Sequence, residues 1–292
     1  MFLKLMYITN DPQVALIAEK YGVDRIWVDL ETLGKEERQR GRNTVKSNHK
    51  IEDIARIKPL LSSSEMLVRV NPWNLESRQE INRVLEAGAD LIMLPMWKSA
   101  VEVKNFLDCV NGRAKTILLL ETKEAVECVD EVLEYGGFDE IHIGLNDLHL
   151  SYGLTFMFEL LSNGVVENLC LKLKNKGIPY GFGGIAKIGE GLLHAERIIM
   201  EHYRLGSTRA ILSRSFCDYS KIKSYNEIDS VFRENMKKLN DFEDTVPYFK
   251  DTEFFHNKEK IGEIIDNIVK KKREENSLCI LNLGERLMQL SL

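Results

Sequence analysis

The chain has little of what would set it apart from an ordinary globular protein. Over its 292 residues there is no long apolar run. Stretches such as Ile92–Met96 and Thr116–Leu120 fall far short of the roughly 20 residues that a helix needs to cross a bilayer, so no membrane association is expected. Charge of one sign is not in excess. The 40 Lys and Arg stand against 45 Asp and Glu, and the formal charge of -5 gives no general attraction to nucleic acid or anionic lipid. Cysteine is sparse and scattered: Cys109, Cys128, Cys170, Cys217 and Cys279 include no CxxC and no close pair. An odd, dispersed set suits buried thiols in a reduced compartment. No His-Glu-x-x-His motif or Cys/His cluster is present, so a zinc site is not expected. The opening Met-Phe-Leu-Lys-Leu-Met-Tyr-Ile-Thr is too short in its apolar stretch for a secretory signal, and a cytoplasmic location is expected. What remains is 44% apolar and 29% charged, enough apolar residue to bury a core and exclude disorder.

Short apolar, β-rich runs recur along the chain with amphipathic stretches between them. Strands are predicted at Leu3–Ile8, Arg25–Leu30, Met66–Val70, Leu91–Leu94, Thr116–Leu120, Glu140–Ile143, Pro179–Phe182 and Thr208–Leu212. Several are continuously apolar, as strands covered on both faces of a parallel sheet must be. Helices are predicted at Pro12–Tyr21, Ser77–Ala87, Ala100–Cys109 and Glu124–Leu133, three of them closed by the glycines Gly22, Gly88 and Gly136. Strand and helix alternating eight times is the pattern of an α/β fold of the (β/α)8 TIM-barrel type. After Cys217 strand-like runs become scarce and charge rises. Residues 1–217 are therefore predicted to form the barrel. Residues 218–292 are predicted to form a helical extension (Asn226–Leu239, Lys258–Lys272 and Ser277–Leu290) that packs on the barrel or on a neighbouring subunit of a homo-oligomer. Its run Lys270-Lys271-Lys272-Arg273 reads as a solvated helix face.

Active sites of such barrels lie at the C-terminal ends of the strands. Here those ends carry Asp29 and Glu31, Arg69 and Asn71, Glu121, and Asn146 with Asp147. Any one of these is an ordinary loop start. Carboxylates and a guanidinium at four strand ends of the same rim suggest a site. Glu121 and Asp147 follow adjacent strands; two ionised carboxylates held close repel, and a divalent cation relieves this. Hard oxygen donors suit Mg²⁺ or Mn²⁺. Alternatively, Glu121 caps the following helix and Asp147 makes a turn. Arg69 sits inside an apolar strand and needs a partner. Its fork suits a substrate carboxylate or a salt bridge to Asp29 or Glu31. Gly144 leaves room for a ligand to approach the amides of Gly144, Leu145 and Asn146. Gly181, Gly183 and Gly184 open the next rim. The basic segment with Arg38, Arg40, Arg42 and Lys46 suits either a phosphorylated or coenzyme A-linked substrate or a solvated helix start. His49 follows it as a candidate acid or base. His149 reads as a neighbour of the site and His142 as a packed strand residue.

These motifs resemble the HpcH/HpaI aldolase and citrate lyase β-subunit family, metal-dependent barrels of the phosphoenolpyruvate/pyruvate superfamily. The resemblance spans about residues 2–217. It is carried by Trp27-Val28-Asp29-Leu30-Glu31, the Arg69 strand, Gly88-Ala89-Asp90-Leu91-Ile92-Met93-Leu94-Pro95-Met96, Leu120-Glu121-Thr122 and Ile143-Gly144-Leu145-Asn146-Asp147-Leu148. It implies that Glu121 and Asp147 ligate Mg²⁺ or Mn²⁺ and that Arg69 binds the carboxylate or enolate oxygen of a small oxo acid. Amides near Gly144 would complete that pocket. The chemistry implied is making or breaking a carbon–carbon bond beside a carbonyl. The chain departs from the sugar-acid aldolase branch, in which a histidine follows the second strand: Asp29-Leu30-Glu31-Thr32 has Thr32 there. It fits the citrate-lyase-like branch better, but lacks the acidic residue that usually follows. Asp29, Glu31, His49 and a metal-bound water all remain candidates for the proton transfer. The competing readings are a citrate-lyase-like enzyme acting on an acyl-CoA thioester and a barrel that binds without catalysing.

Overall fold

The computed structural model describes residues 2–34 and 48–289, with side chains described to residue 275. Eight parallel strands close a barrel in chain order: β1 (Lys4–Ile8), β2 (Arg25–Asp29), β3 (Glu65–Arg69), β4 (Leu91–Leu94), β5 (Lys115–Leu120), β6 (Glu140–Ile143), β7 (Tyr180–Ile185) and β8 (Arg209–Leu212), with β8 returning to β1. All eight predicted strands are present. β7 runs to Ile185, beyond the expected end at Phe182, because an irregularity between Gly181 and Gly184 absorbs a register shift against β8.

Side chains alternate along each strand. Met6, Trp27, Leu67, Leu91, Met93, Ile117 and Leu119 fill the barrel interior. Their neighbours, among them Ile26, Val28, Val68, Ile92, Leu118 and Leu120, pack outward against the helices. At the N-terminal end of the strands the interior is ionic. Arg25 donates to both oxygens of Glu140 at 2.7 Å and to Glu65 at 3.1 Å, and Arg209 adds a 2.9 Å bond to Glu140. Burial alone would raise the Glu140 pKa, but the two arginines overturn it and hold it at about 2.

The helices are α1 (Pro12–Lys20), α2 (Ile51–Ile57), α3 (Ser77–Glu86), α4 (Ala100–Val110), α5 (Lys123–Glu127), α6 (Val129–Tyr135), α7 (Leu145–Ser151), α8 (Glu159–Ser162), α9 (Val165–Asn175), α10 (Ala195–Leu205), α11 (Tyr225–Glu243) and α12 (Asp251–Gln289). Asp11 starts α1 by accepting from the amides of Gln13 and Val14, and Ser99 starts α4 through Glu102. The single helix expected over Glu124–Leu133 is two, because Cys128 leaves the helical basin at φ -103°, ψ 8°. The two helices expected over Lys258–Lys272 and Ser277–Leu290 are one, α12, of 39 residues. The intervening Arg273-Glu274-Glu275-Asn276 holds no glycine or proline to break it. α11 packs on α1, and α12 packs on α10 and α8, burying Ile261, Ile265 and Val269 at a spacing of four. Among the described residues no helix is long and apolar enough to cross a membrane.

Candidate active site

The inward-facing positions of β2 and β3 end in charge. Asp29 pairs with Arg69 in the strand register, so both side chains stand at one height on the interior face. Arg69 takes Asp29 bidentately, Nε to Oδ1 at 2.8 Å and Nη2 to Oδ2 at 2.9 Å, and Nη2 also lies 3.2 Å from Glu31. The salt-bridge reading of Arg69 is thus present in full. Trp27, two residues before Asp29, lies beneath, with its ring 5.2 Å from the guanidinium. Burial pulls the Arg69 pKa down, but Asp29, Glu31 and Glu121 more than reverse this and hold it above the ordinary value. Glu121 therefore acts electrostatically on the same guanidinium across the rim.

Glu121 immediately follows β5, and its Oε1 accepts the main-chain N–H of Met96 at 3.1 Å. Met96 carries φ +53°, unusual for a residue with a side chain. Glu121 is not a helix cap: Thr122 caps α5 by accepting from Ala125. Gly144 follows the adjacent β6. A Cβ there would stand 2.9 Å from both Cβ and Oε2 of Glu121, so only glycine fits beside that carboxylate. The Gly144 N–H is spent on the Leu120 carbonyl at 2.8 Å. Gly144 therefore contributes space rather than a donor, which corrects its expected part in an amide pocket. Leu145 and Asn146 open α7, where first-turn amides have no partner within the helix, and Asp147 stands in that turn. The Leu145 side chain fills the space opposite Gly183, where a Cβ would lie 2.7 Å from it.

Thr32 is held in a turn. Its amide and that of Leu33 donate to Asn71 Oδ1 at 2.9 and 3.0 Å. His49 returns to the rim, where its Nδ1 accepts the Asp29 main-chain N–H at 3.0 Å. His149 instead turns Nδ1 toward the Leu145 carbonyl, 3.1 Å away. His142 faces the interior in space left by Gly181, with Nε2 3.1 Å from the Gly183 carbonyl, and burial lowers its pKa to about 4. Arg38, Arg40, Arg42 and Lys46 lie outside the described residues.

A cavity of about 210 Å³ opens at this rim between β1, β2 and β8, lined by Asp29 and His49 together with Tyr7, Ser213, Arg214 and Tyr219. The last four escaped the sequence reading. Ser213 and Arg214 carry the same signal as Glu121, polar residues directly after a strand, but β8 is predicted only as a strand. A larger cavity, about 720 Å³, lies at the opposite end of the strands. Four of its charges are paired, Lys58 with Asp90 and Lys115 with Glu65, both at 2.5 Å. Ligand chemistry belongs at the C-terminal end instead.

Residues 4–159 match the family described as HpcH/HpaI aldolase/citrate lyase. A comparison with curated protein sequences finds no match. Solved structures of similar fold include an HpcH/HpaI aldolase from Desulfitobacterium hafniense DCB-2 (16% identity, 75% of this chain and 90% of that one, TM-score 0.56). Another is an HpcH/HpaI aldolase/citrate lyase family protein from Burkholderia cenocepacia J2315 (15% identity, 78% of this chain and 95% of that one, TM-score 0.59). A third is the citrate synthase SbnG (19% identity, 82% of this chain and 95% of that one, TM-score 0.55). At these identities the likeness is one of fold.

Proposed function

The chain belongs to the HpcH/HpaI aldolase/citrate lyase family, and from that premise we propose that it is a divalent-metal-dependent carbon–carbon lyase of the class II aldolase type. Its substrate would be a small 2-oxo acid such as pyruvate or oxaloacetate, or a larger oxo acid that releases one. The observation that carries this reading is the rim itself: Arg69, partly buried and fixed by Asp29 and Glu31, in the electrostatic field of Glu121.

The residues fit a metal. Glu121 and Asp147 offer hard oxygen donors from adjacent strand ends, and the missing Cβ at Gly144 keeps the space at Glu121 Oε2 clear. Among the described residues no group of three or more His, Cys, Asp or Glu forms a metal cage. Two protein carboxylates, with water and substrate supplying the rest, are what Mg²⁺ or Mn²⁺ accepts. When bound, such an ion supplies the Lewis acidity that polarises the 2-oxo group. Arg69 presents a fixed positive charge to the oxygen on which negative charge develops, and its geometry costs no reorganisation because Asp29 and Glu31 already hold it. Both oxygens of Asp29 are engaged by Arg69, so Asp29 is a positioning residue. Glu31, His49 and a metal-bound water are the candidates to move the proton of the reacting hydroxyl. Leu145 and Asn146 offer main-chain donors to the acid group. The acyl-CoA alternative would use Arg38, Arg40 and Arg42, which lie outside the described residues.

The test is release of pyruvate from oxaloacetate and from 4-hydroxy-2-oxo acids, with Mg²⁺ or Mn²⁺ and with EDTA. Metal-dependent release that Arg69→Met lowers by at least about a hundredfold is expected. No release from any of these substrates with either metal contradicts the proposal.

A further inference from the structure

We propose that the cleft between the barrel and its C-terminal helices is a second binding site, shaped for a small zwitterion with an apolar tail, of the apolar α-amino-acid class. The cleft lies between α10, the end of α11 and the start of α12, encloses about 560 Å³, and shares no lining residue with the rim cavity. That volume falls within the range of small-molecule sites.

Three kinds of surface meet there. Met200, Phe242 and Phe249 are its apolar part, and Phe249 stands edge-on to Phe242 at 6.4 Å. Arg197 is the fixed cation. Its Nη1 donates to Asn257 Oδ1 at 3.2 Å, and Asn257 Nδ2 donates back to the Arg197 carbonyl at 3.0 Å. Asn257 is 2% exposed, so a buried amide spends both its ends on this one arginine. That restricts the guanidinium to one direction before any ligand arrives, which is how a carboxylate clamp is preorganised. The third surface is acidic. Glu196 and Glu253 line the same cleft. Glu196 accepts the Gly189 amide at Oε1, and its buried Oε2 has no hydrogen-bond partner among the described residues. Glu253 is exposed on the lining and offers its carboxylate to an incoming ammonium, and the negative charge of Glu196 adds to the attraction.

Charge complementarity selects the ligand. A simple anion would satisfy Arg197 and meet Glu196 and Glu253 unfavourably, and a simple cation the reverse. A molecule bearing one carboxylate, one ammonium and an apolar side chain satisfies all three surfaces. Neither the family match, which ends at residue 159, nor the lyase reading bears on this cleft.

The test is calorimetric titration of the full chain with L-leucine, L-methionine and L-phenylalanine, alongside thermal melting. The controls are 4-methylpentanoate and 3-methylbutylamine, which are leucine without its amine and without its carboxylate. At least one amino acid is expected to bind and raise Tm, with the corresponding control at least about tenfold weaker. Arg197→Met should weaken binding by a similar factor. Thr252→Trp, an exposed position on the lining that leaves the Arg197–Asn257 pair intact, should do the same in a normally folded chain. Absence of binding by all three amino acids, or binding that survives both substitutions, overturns the proposal.

Discussion

At the scale of single residues, the site turns on one cation and one missing side chain. Removing the Arg69 charge takes from Asp29 and Glu31, 4% and 2% exposed, the cation that both carboxylates contact. Arg69→Met should therefore cost on the order of 3–5 kcal/mol in urea unfolding as well as activity. Gly144→Ala separates space from flexibility. Gly144 has φ -82°, which alanine adopts freely, so the backbone tolerates the substitution and its effect comes from the close approach to Glu121. The added methyl would displace the Glu121 carboxylate, and Mn²⁺ affinity should fall by about tenfold. Unchanged Mn²⁺ affinity in Gly144→Ala would place the metal elsewhere. The sequence made Asp29, Arg69 and Glu121 visible because charge at the end of an apolar run stands out. It could not show that the Gly144 amide is already taken by Leu120, because that bond depends on the register between β5 and β6.

At the scale of elements, two imidazoles make the β6–β7–α10 layer acid-sensitive. His142 on β6 and His202 on α10 are buried, with pKa values lowered to about 4 and about 3, and His202 stacks flat on Phe182 at 3.8 Å. The unfolded chain takes up protons near pH 6.5 that the folded chain refuses until pH 4 or below. Stability is therefore full above about 6.5 and lost as pH falls through that window. Between pH 7 and pH 5 each histidine should cost about 2 kcal/mol, read as a lower urea midpoint. His202→Phe, which keeps the stacked ring, should flatten the dependence; an unaltered pH profile would contradict this account. Element existence was legible from periodicity, while breaks were not. Cys128 ends a helix with no glycine or proline to announce it, and nothing in residues 273–276 interrupts α12 where a gap was expected.

At the scale of the whole molecule, the closed barrel explains why scattered sequence positions act together. Parallel strands in chain order bring every C-terminal strand end to one rim, while the Arg25–Glu140–Arg209 layer closes the other. The eightfold alternation was readable because buried parallel strands are short and apolar. How α11 and α12 dock was not, since an amphipathic pattern names a face and not its partner. Ile265, 1% exposed against the barrel helices, tests that docking: Ile265→Ala should lose about 2–5 kcal/mol of stability and leave Mn²⁺ affinity unchanged. The central claim is that the rim made by Arg69, Glu121 and Asp147 holds a divalent ion together with an oxo acid. Its most direct measurement is the Mn²⁺ electron paramagnetic resonance signal during titration of the full chain, with and without pyruvate. The account predicts one bound Mn²⁺ per chain, a spectrum altered by pyruvate, and loss of both in Glu121→Gln and in Asp147→Asn chains that still fold. A folded wild-type chain that leaves Mn²⁺ free in the presence of pyruvate, or binding unaffected by both substitutions, would contradict it.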